Sequence, residues 1–319
     1  MMAPKHGVER TSQRLKLRDL RILMTVVECG TMGRAAAQLA VSQPVVSKTI
    51  SDMEHTVGVR LLDRSQRGVV PTAYGRALIK HGIVIFDEMR QGLREIEFLS
   101  DPSSGEVSVG ATPPITVAIV APALAHLCRQ YPRMRFNTVM ADSAPLFAEL
   151  EARSVDFVIS RIPQRVLDHH QIEVLFYDEV KVVIGSKNPL ARRRSVALAD
   201  LVNEPWILSA PDSYFGGLQA AVFRASGLEP PLPAVTATAG TEYHLRLELL
   251  ANTRLLTIVP GFSVALPRPR PGVVALSVKL RVAREPVGII TLKSRSLSPA
   301  AQVFIEQVRE LTKPLAKSG

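Results

Sequence analysis

The sequence predicts an α+β multidomain chain: a small N-terminal winged helix-turn-helix, a long linker helix and a larger C-terminal α/β region. Residues 17–71 read as three short helices followed by a hairpin, and residues 72–100 carry one long apolar repeat. From residue 106 onward, apolar strand-like runs alternate with helical stretches, the texture of an α/β fold.

The chain has 319 residues, enough for one small domain and a larger region of one or two lobes. Its 46% hydrophobic content is that of a globular protein. No apolar run approaches the roughly 18 residues that read as a membrane span; the longest, Val117–Leu127, is broken by Pro122 and His126. Residues 1–16 read as a short lead-in, with Lys5, Glu9 and Arg10 where a signal peptide would be apolar. These features predict a cytoplasmic protein with no membrane partner. Cys29 and Cys128 are too few for a disulfide framework and are not spaced as zinc ligands. The net charge of +10 favours a polyanionic partner. Residues 1–71 hold eleven Lys/Arg against six Asp/Glu, so half the excess lies in the head.

In the first helix Leu20, Leu23, Met24 and Val27 form one stripe, ended by Cys29-Gly30. Thr31 is placed to cap a second helix, Met32–Ala40, whose alanine run lets a neighbour approach closely. Ser42 is placed to cap the third, about Gln43–Val57, with Pro44 in its first turn. Val46, Ile50, Met53 and Val57 give that helix a core face. Pro44, Ser47, Lys48 and Ser51 give it a short, polar, cationic outer face, led by Gln43 and free of carboxylates until Asp52 and Glu54. Such a face fits a major groove, where short side chains allow close approach and acids are repelled by phosphate. An ordinary solvated face uses the same residue types, so the next segment decides. Arg60–Arg64 and Val69-Val70 read as the strands of a wing, which sets Arg64 and Arg67 where a phosphate backbone would run.

The stretches Leu17–Leu23, Gly30–Ile50 and Met53–Arg64, then Arg67-Gly68-Val69, Pro71-Thr72 and Gly75, resemble the N-terminal domain of LysR-type transcriptional regulators, without a gap. Lys48 stands where many members carry Arg; it keeps the charge and loses the planar fork that suits guanine. The resemblance implies a sequence-specific DNA-binding regulator. Gln43, Pro44, Ser47 and Lys48 would face the bases, with Ser42 and Ser51 on the same helix, and Arg34, Arg64 and Arg67 would hold phosphates or the minor groove. In the linker helix, over 72–100, Ile79, Ile83, Phe86, Leu93 and Ile96 recur near every 3.5 residues, which predicts pairing with a second copy, the alternative being a helix docked onto its own chain. Family members use the equivalent helix in that way.

Asp101-Pro102-Ser103-Ser104-Gly105 reads as a hinge, and residues 101–319 as an effector domain. Asn188–Ala191, Ala197–Leu201, Glu204–Leu208 and Leu255–Gly261 resemble the same family's effector domain, built like a type 2 periplasmic binding protein with two lobes and a ligand between them. The first lobe is expected over about 106–170 and 277–319, the second over about 171–276. Ile115–Phe147 and the hinge resemble the branch related to galactose-binding-protein and protocatechuate-pathway regulators. Ligands of open α/β sheets bind beyond the carboxyl ends of strands. Those ends nominate Thr112, Pro113, Ser143, Arg161, Ser209, Thr238 and Pro260, with Arg161 suited to a carboxylate.

No enzyme pattern survives inspection. Gly261–Ala265 approaches a nucleophile elbow and ends in Ala where Gly is required. Asp168-His169-His170 lacks helical metal-ligand spacing and reads as a solvated loop, as does the basic run Lys187–Arg194. A competing reading is a small-molecule binding protein, or an enzyme on the same scaffold, whose head serves protein contacts; the carboxylate-free helix face and arginine-tipped wing argue against it. The expected partners are duplex DNA of imperfect dyad symmetry, a small-molecule effector such as a carboxylate or sugar, further copies of the chain, and RNA polymerase. No cofactor is expected.

Overall fold

A computed structural model describes residues 11, 13–65, 68–163, 165–237, 242–265 and 272–317, with only the backbone for 242–244. The chain divides into two compact units, Met1–Arg90 and Gln91–Gly319.

In the first unit, helices α1 (Leu17–Cys29), α2 (Met32–Gln38) and α3 (Gln43–Val57) precede the antiparallel hairpin of β1 (Leu62–Ser65) and β2 (Gly68–Pro71). Gly30 ends α1 and Gly58 ends α3, each in the left-handed conformation. Thr31 Oγ1 caps α2 by accepting from the Arg34 N–H at 3.3 Å. That helix stops at Gln38 rather than Ala40, because Ala40 itself turns left-handed with φ 52°. The expected apolar faces meet in one core: Leu20, Leu23, Val26, Met32, Ala35, Val46, Ile50, Met53, Leu61 and Leu62 are buried together.

Helix α4 (Ala73–Ser100) follows, capped by Thr72 Oγ1, which accepts from the Gly75 N–H at 3.1 Å. The predicted pairing stripe divides here. Phe86 is buried in the head's own core, and Leu78 and Ile79 pack against it. Leu93 and Ile96 are about 60% exposed and continue an outer row with Ile85 and Met89. Two glycines explain how the helix seats on the head. A Cβ on Gly75 would stand 2.1 Å from the Leu61 carbonyl oxygen, and one on Gly82 would stand 3.0 Å from Met24 Sδ. Any larger residue at position 75 would lift α4 off the head.

The second unit holds two five-stranded sheets, one in each lobe. The first lobe's sheet has the order β4-β3-β5-β12-β6, from β3 (Ser104–Ala111), β4 (Arg133–Met140), β5 (Phe157–Arg161), β6 (His170–Asp178) and β12 (Glu285–Leu292). Strands β3, β4 and β5 run parallel, and β12 pairs antiparallel with both β5 and β6. Its helices include α5 (Ala121–Gln130), α6 (Ser143–Glu151) and α9 (Pro299–Lys317). The second sheet has the order β11-β7-β10-β8-β9, from β7 (Val180–Gly185), β8 (Trp206–Ser209), β9 (Val235–Ala237), β10 (Leu256–Pro260) and β11 (Val273–Ala275). Helices α7 (Tyr214–Arg224) and α8 (Glu242–Asn252) lie in the same segment.

Both expected lobe boundaries are corrected. Strand β6 belongs to the first lobe, not the second: it pairs with β12 along its length, and Phe176 enters the first lobe's core. The return crossing comes near residue 284, not 276, because Leu276, Val278, Leu280 and Val282 alternate into the second lobe's core. The expected hinge is already structured, since Ser104 opens β3 and Asp101 Oδ1 accepts from the Ser103 N–H at 3.0 Å.

The last third of α4 is fastened to the first lobe through Asp156, which is almost fully buried at 1% exposure. Its carboxylate takes the Ser108 N–H at 2.8 Å, Arg295 Nη2 at 2.9 Å, Arg94 Nη1 at 3.3 Å and Gln91 Nε2 at 3.4 Å. A buried carboxylate is tolerated only when partnered in this way.

Candidate nucleic-acid interface and ligand cavity

On α3, Gln43, Pro44, Lys48 and Ser51 are exposed and Ser47 is half-buried, while Val46, Ile50 and Met53 are buried on the opposite side. Ser42 precedes the helix in the extended conformation of a cap, but its hydroxyl makes no capping bond. Exposed carboxylates stay away from the leading end. Glu54 is turned inward, its Oε1 accepting from the N–H groups of Leu61 at 2.7 Å and Leu62 at 3.1 Å, which ties the end of α3 to the wing. The wing is also fixed to α1, since the Val69 N–H donates to Gly30 O at 2.8 Å. Arg34 and Arg64 are exposed; Arg67 lies outside the described residues.

In the second unit a cavity of about 800 Å³, counted to its open mouth, lies between the lobes. Thr112, Pro113, Ser143, Arg161, Ser209 and Pro260 all line it, from both sheets; Thr238 lies outside the described residues. Strand ends therefore converge here as the α/β rule requires. The segment after Thr112 is helical from Pro113 to Gln130, but a π turn over Thr116–Val120 interrupts it. Thr116 Oγ1 fills the widened turn, donating to Ala111 O at 3.2 Å and Thr112 O at 3.1 Å.

Arg161 does not offer an open guanidinium to a carboxylate, as expected from sequence. It pairs with Asp178, and its Nη1 lies 3.2 Å from Glu285 Oε2. Asp178 also accepts from the Phe262 N–H at 2.8 Å. Burial pushes the Asp178 carboxyl up to about 6, against the pull of Arg161 and the N–H groups of Phe262 and Gly261. Asp178 ends β6 and Glu285 begins β12, so Arg161 is held by carboxylates at both crossings between the lobes.

The rest of the wall comes from segments other than the strand ends. Ser213, Tyr214 and Phe215 come from the start of α7, Arg246 from α8 and Phe262 from a short helix after β10. Arg246 is buried, and its guanidinium donates to Ser209 Oγ at 3.0 Å and to Ile207 O at 3.3 Å. Ser213 caps α7 by accepting from the Gly216 N–H at 3.0 Å, a residue type that marks a helix start.

Residues 17–76 match the family model described as bacterial regulatory helix-turn-helix protein, lysR family, and residues 100–313 match that of the LysR substrate binding domain. The HTH-type transcriptional regulator GbpR of Azospirillum brasilense is 31% identical over 301 residues, 93% of this chain and 86% of that protein. PcaQ of Agrobacterium fabrum, also an HTH-type transcriptional regulator, is 26% identical over 301 residues, 93% of this chain and 95% of its own. The crystal structure of CbnR, a LysR family transcriptional regulator, has a similar fold, with a TM-score of 0.60 at 21% identity, over 94% of this chain and 100% of that one. The chain belongs to the LysR family: it is a DNA-binding transcription regulator, not an enzyme, with an N-terminal helix-turn-helix domain and a C-terminal effector-binding domain.

Proposed function

We propose that α3 enters the major groove of a duplex with imperfect dyad symmetry, one copy per half-site, and that a small carboxylate or sugar in the cavity changes how the oligomer occupies it. The observation that carries this reading is the division of α3: Gln43, Pro44, Lys48 and Ser51 are open to solvent, while Val46, Ile50 and Met53 anchor the opposite side. Gln43, Pro44, Ser47 and Lys48 meet bases, Ser42 and Ser51 flank them, and Arg34, Arg64 and Arg67 hold phosphates or the minor groove. The outer row of α4, Ile85, Met89, Leu93 and Ile96, supports oligomers that form through that helix. In the cavity, the hydroxyls of Thr112, Ser143, Ser209 and Ser213 over an apolar floor of Ile115, Ile258 and Phe262 suit a small polar molecule. Pro113, Thr238 and Pro260 complete the proposed ligand set, with Arg161 lining the cavity while held by Asp178 and Glu285. The protein works in the cytoplasm beside RNA polymerase, as the family reading implies.

Gel shifts on the operator and on a scrambled duplex test the DNA assignment. Gln43→Ala should cost about 1–3 kcal/mol on the operator alone, while Arg64→Ala should weaken both duplexes alike. Equal losses on both duplexes for Gln43→Ala would refute it.

A further inference from the structure

Asp168-His169-His170, read from sequence as a solvated loop, is more ordered than that. His170 opens β6, its main chain in register with Leu292 of β12, and the carbonyl of His169 accepts from the Lys293 N–H at 2.9 Å. Because His169 lies in the turn and not in the strand, the two imidazoles do not alternate across the sheet. Both point at the last residue of α6. Glu151 Oε1 lies 2.6 Å from His169 Nε2 and 2.7 Å from His170 Nε2. The rings meet edge-on with centroids 4.8 Å apart, and Phe147, one turn back on α6, stacks on His170 at 5.8 Å. His170 is buried, while His169 and Glu151 stay accessible from outside.

We propose that Glu151, His169 and His170 form a binding site for a borderline divalent transition metal, Zn²⁺ in the first instance. The three ligand atoms, one from each residue, all lie within 4.8 Å of one another. Two imidazole nitrogens and one carboxylate oxygen are a donor set that Zn²⁺ takes with water in the fourth place, whereas Mg²⁺ and Ca²⁺ prefer all-oxygen shells. Bonds of about 2.0–2.1 Å in a tetrahedron put ligand atoms about 3.3 Å apart. The carboxylate oxygen therefore has to draw back from each ring by about 0.6 Å, and the two ring nitrogens have to close to the same spacing from within 4.8 Å, movements open to the exposed Glu151 and His169 side chains. To bind the metal each ring offers the Nε2 lone pair to the cation and carries its proton on Nδ1. The carbonyl end of α6 adds partial negative charge at the same place.

This site is distinct from the cavity and does not depend on its reading. It is nevertheless tied to it through α6, which begins at the cavity residue Ser143 and ends at Glu151. Zn²⁺ would clip the far end of that helix to the start of β6.

The test is titration of metal-free, full-length protein with ZnCl₂ by calorimetry, with Co²⁺ absorption as a readout of geometry. We expect one ion per chain and a tetrahedral Co²⁺ spectrum. A hundredfold excess of Mg²⁺ should not compete. His169→Ala and Glu151→Gln change accessible side chains and should keep the fold, checked by circular dichroism. Each should weaken Zn²⁺ binding at least tenfold, since losing even a hydrogen-bond partner of a metal ligand costs ten- to a hundredfold. No saturable binding, or binding unchanged in both variants, would overturn the proposal.

Discussion

Tyr214 Oη donates to Glu285 Oε2 across 2.9 Å, joining the first turn of α7 in the second lobe to the first residue of β12 in the other. The same carboxylate oxygen receives Arg161, so the Glu285 side chain links two cavity residues from different lobes. Burial, reinforced by the Glu285 carboxylate, raises the Tyr214 phenol above its ordinary range, which keeps it a donor.

Tyr214→Phe removes this bond and leaves the ring. A net contribution of about 1 kcal/mol is expected from one charge-assisted hydrogen bond at a half-open site. Urea unfolding should show a loss of that size, and no loss would mean that the lobes do not hold this contact in solution.

Asp178 gives the protein a pH dependence whose sign follows from its upward shift to about 6. An unfolded aspartate titrates near 3.9. Between those values the folded chain retains a proton that the unfolded chain has released, so this group's contribution to stability falls as pH rises through the window. The Asp178→Asn variant lacks that slope. Unfolding of both proteins at pH 4.5, 5.5 and 6.5 should reveal a difference that changes by on the order of 1 kcal/mol per pH unit. A constant difference would mean that Arg161 keeps Asp178 ionised throughout.

Asp156→Ala removes the carboxylate that the buried Arg295 shares with Arg94. Breaking a buried ion pair from one side costs about 3–5 kcal/mol. Chemical denaturation should show that loss. Arg94→Ala, at a more accessible position, should cost clearly less.

Gly75→Ala separates helix propensity from packing. Propensity alone favours Ala by about 1 kcal/mol. The added methyl group would fall 2.1 Å from the Leu61 carbonyl, so the substitution should instead destabilise the first unit. A gain in melting temperature would show that α4 is not seated on the head as described.

Leu93→Glu with Ile96→Glu places charge in the exposed outer row of α4 without touching the head's core. Sedimentation should show a shift toward monomer at micromolar concentration, with circular dichroism unchanged. An unaltered oligomer would move the interface to another surface.

The head was legible because its signals are local. Gly30, Thr31 and Gly58 punctuate the helices, and the spacing of Val46, Ile50 and Met53 alone fixes which side of α3 faces inward. The cavity was half legible. Strand ends identify Thr112, Ser143 and Ser209, but Tyr214, Arg246 and Phe262 reach it from helices, and no period marks a helix that faces a cleft. Partnerships were not legible at all. Arg161 meets Asp178 and Glu285 at sequence separations of 17 and 124 residues, which is why it read as available for a ligand. The lobe boundary failed for a related reason: only Glu179 separates β6 from β7, and nothing in a strand's own residues says which sheet it will join. In α4 one repeat served two purposes, with Phe86 inward and Leu93 outward.

The placing of β12 between β5 and β6 has a consequence for the order in which the protein is made. The second lobe's sheet draws only on residues 180–275, a continuous segment that can close as it leaves the ribosome. The first lobe, although begun earlier, lacks a central strand until residue 292 emerges, and meanwhile both β5 and β6 present bare edges. The nascent chain can thus complete the second lobe's sheet first, and at about 5–20 residues per second the edges of the first lobe's sheet stay open for roughly ten seconds while β12 is made.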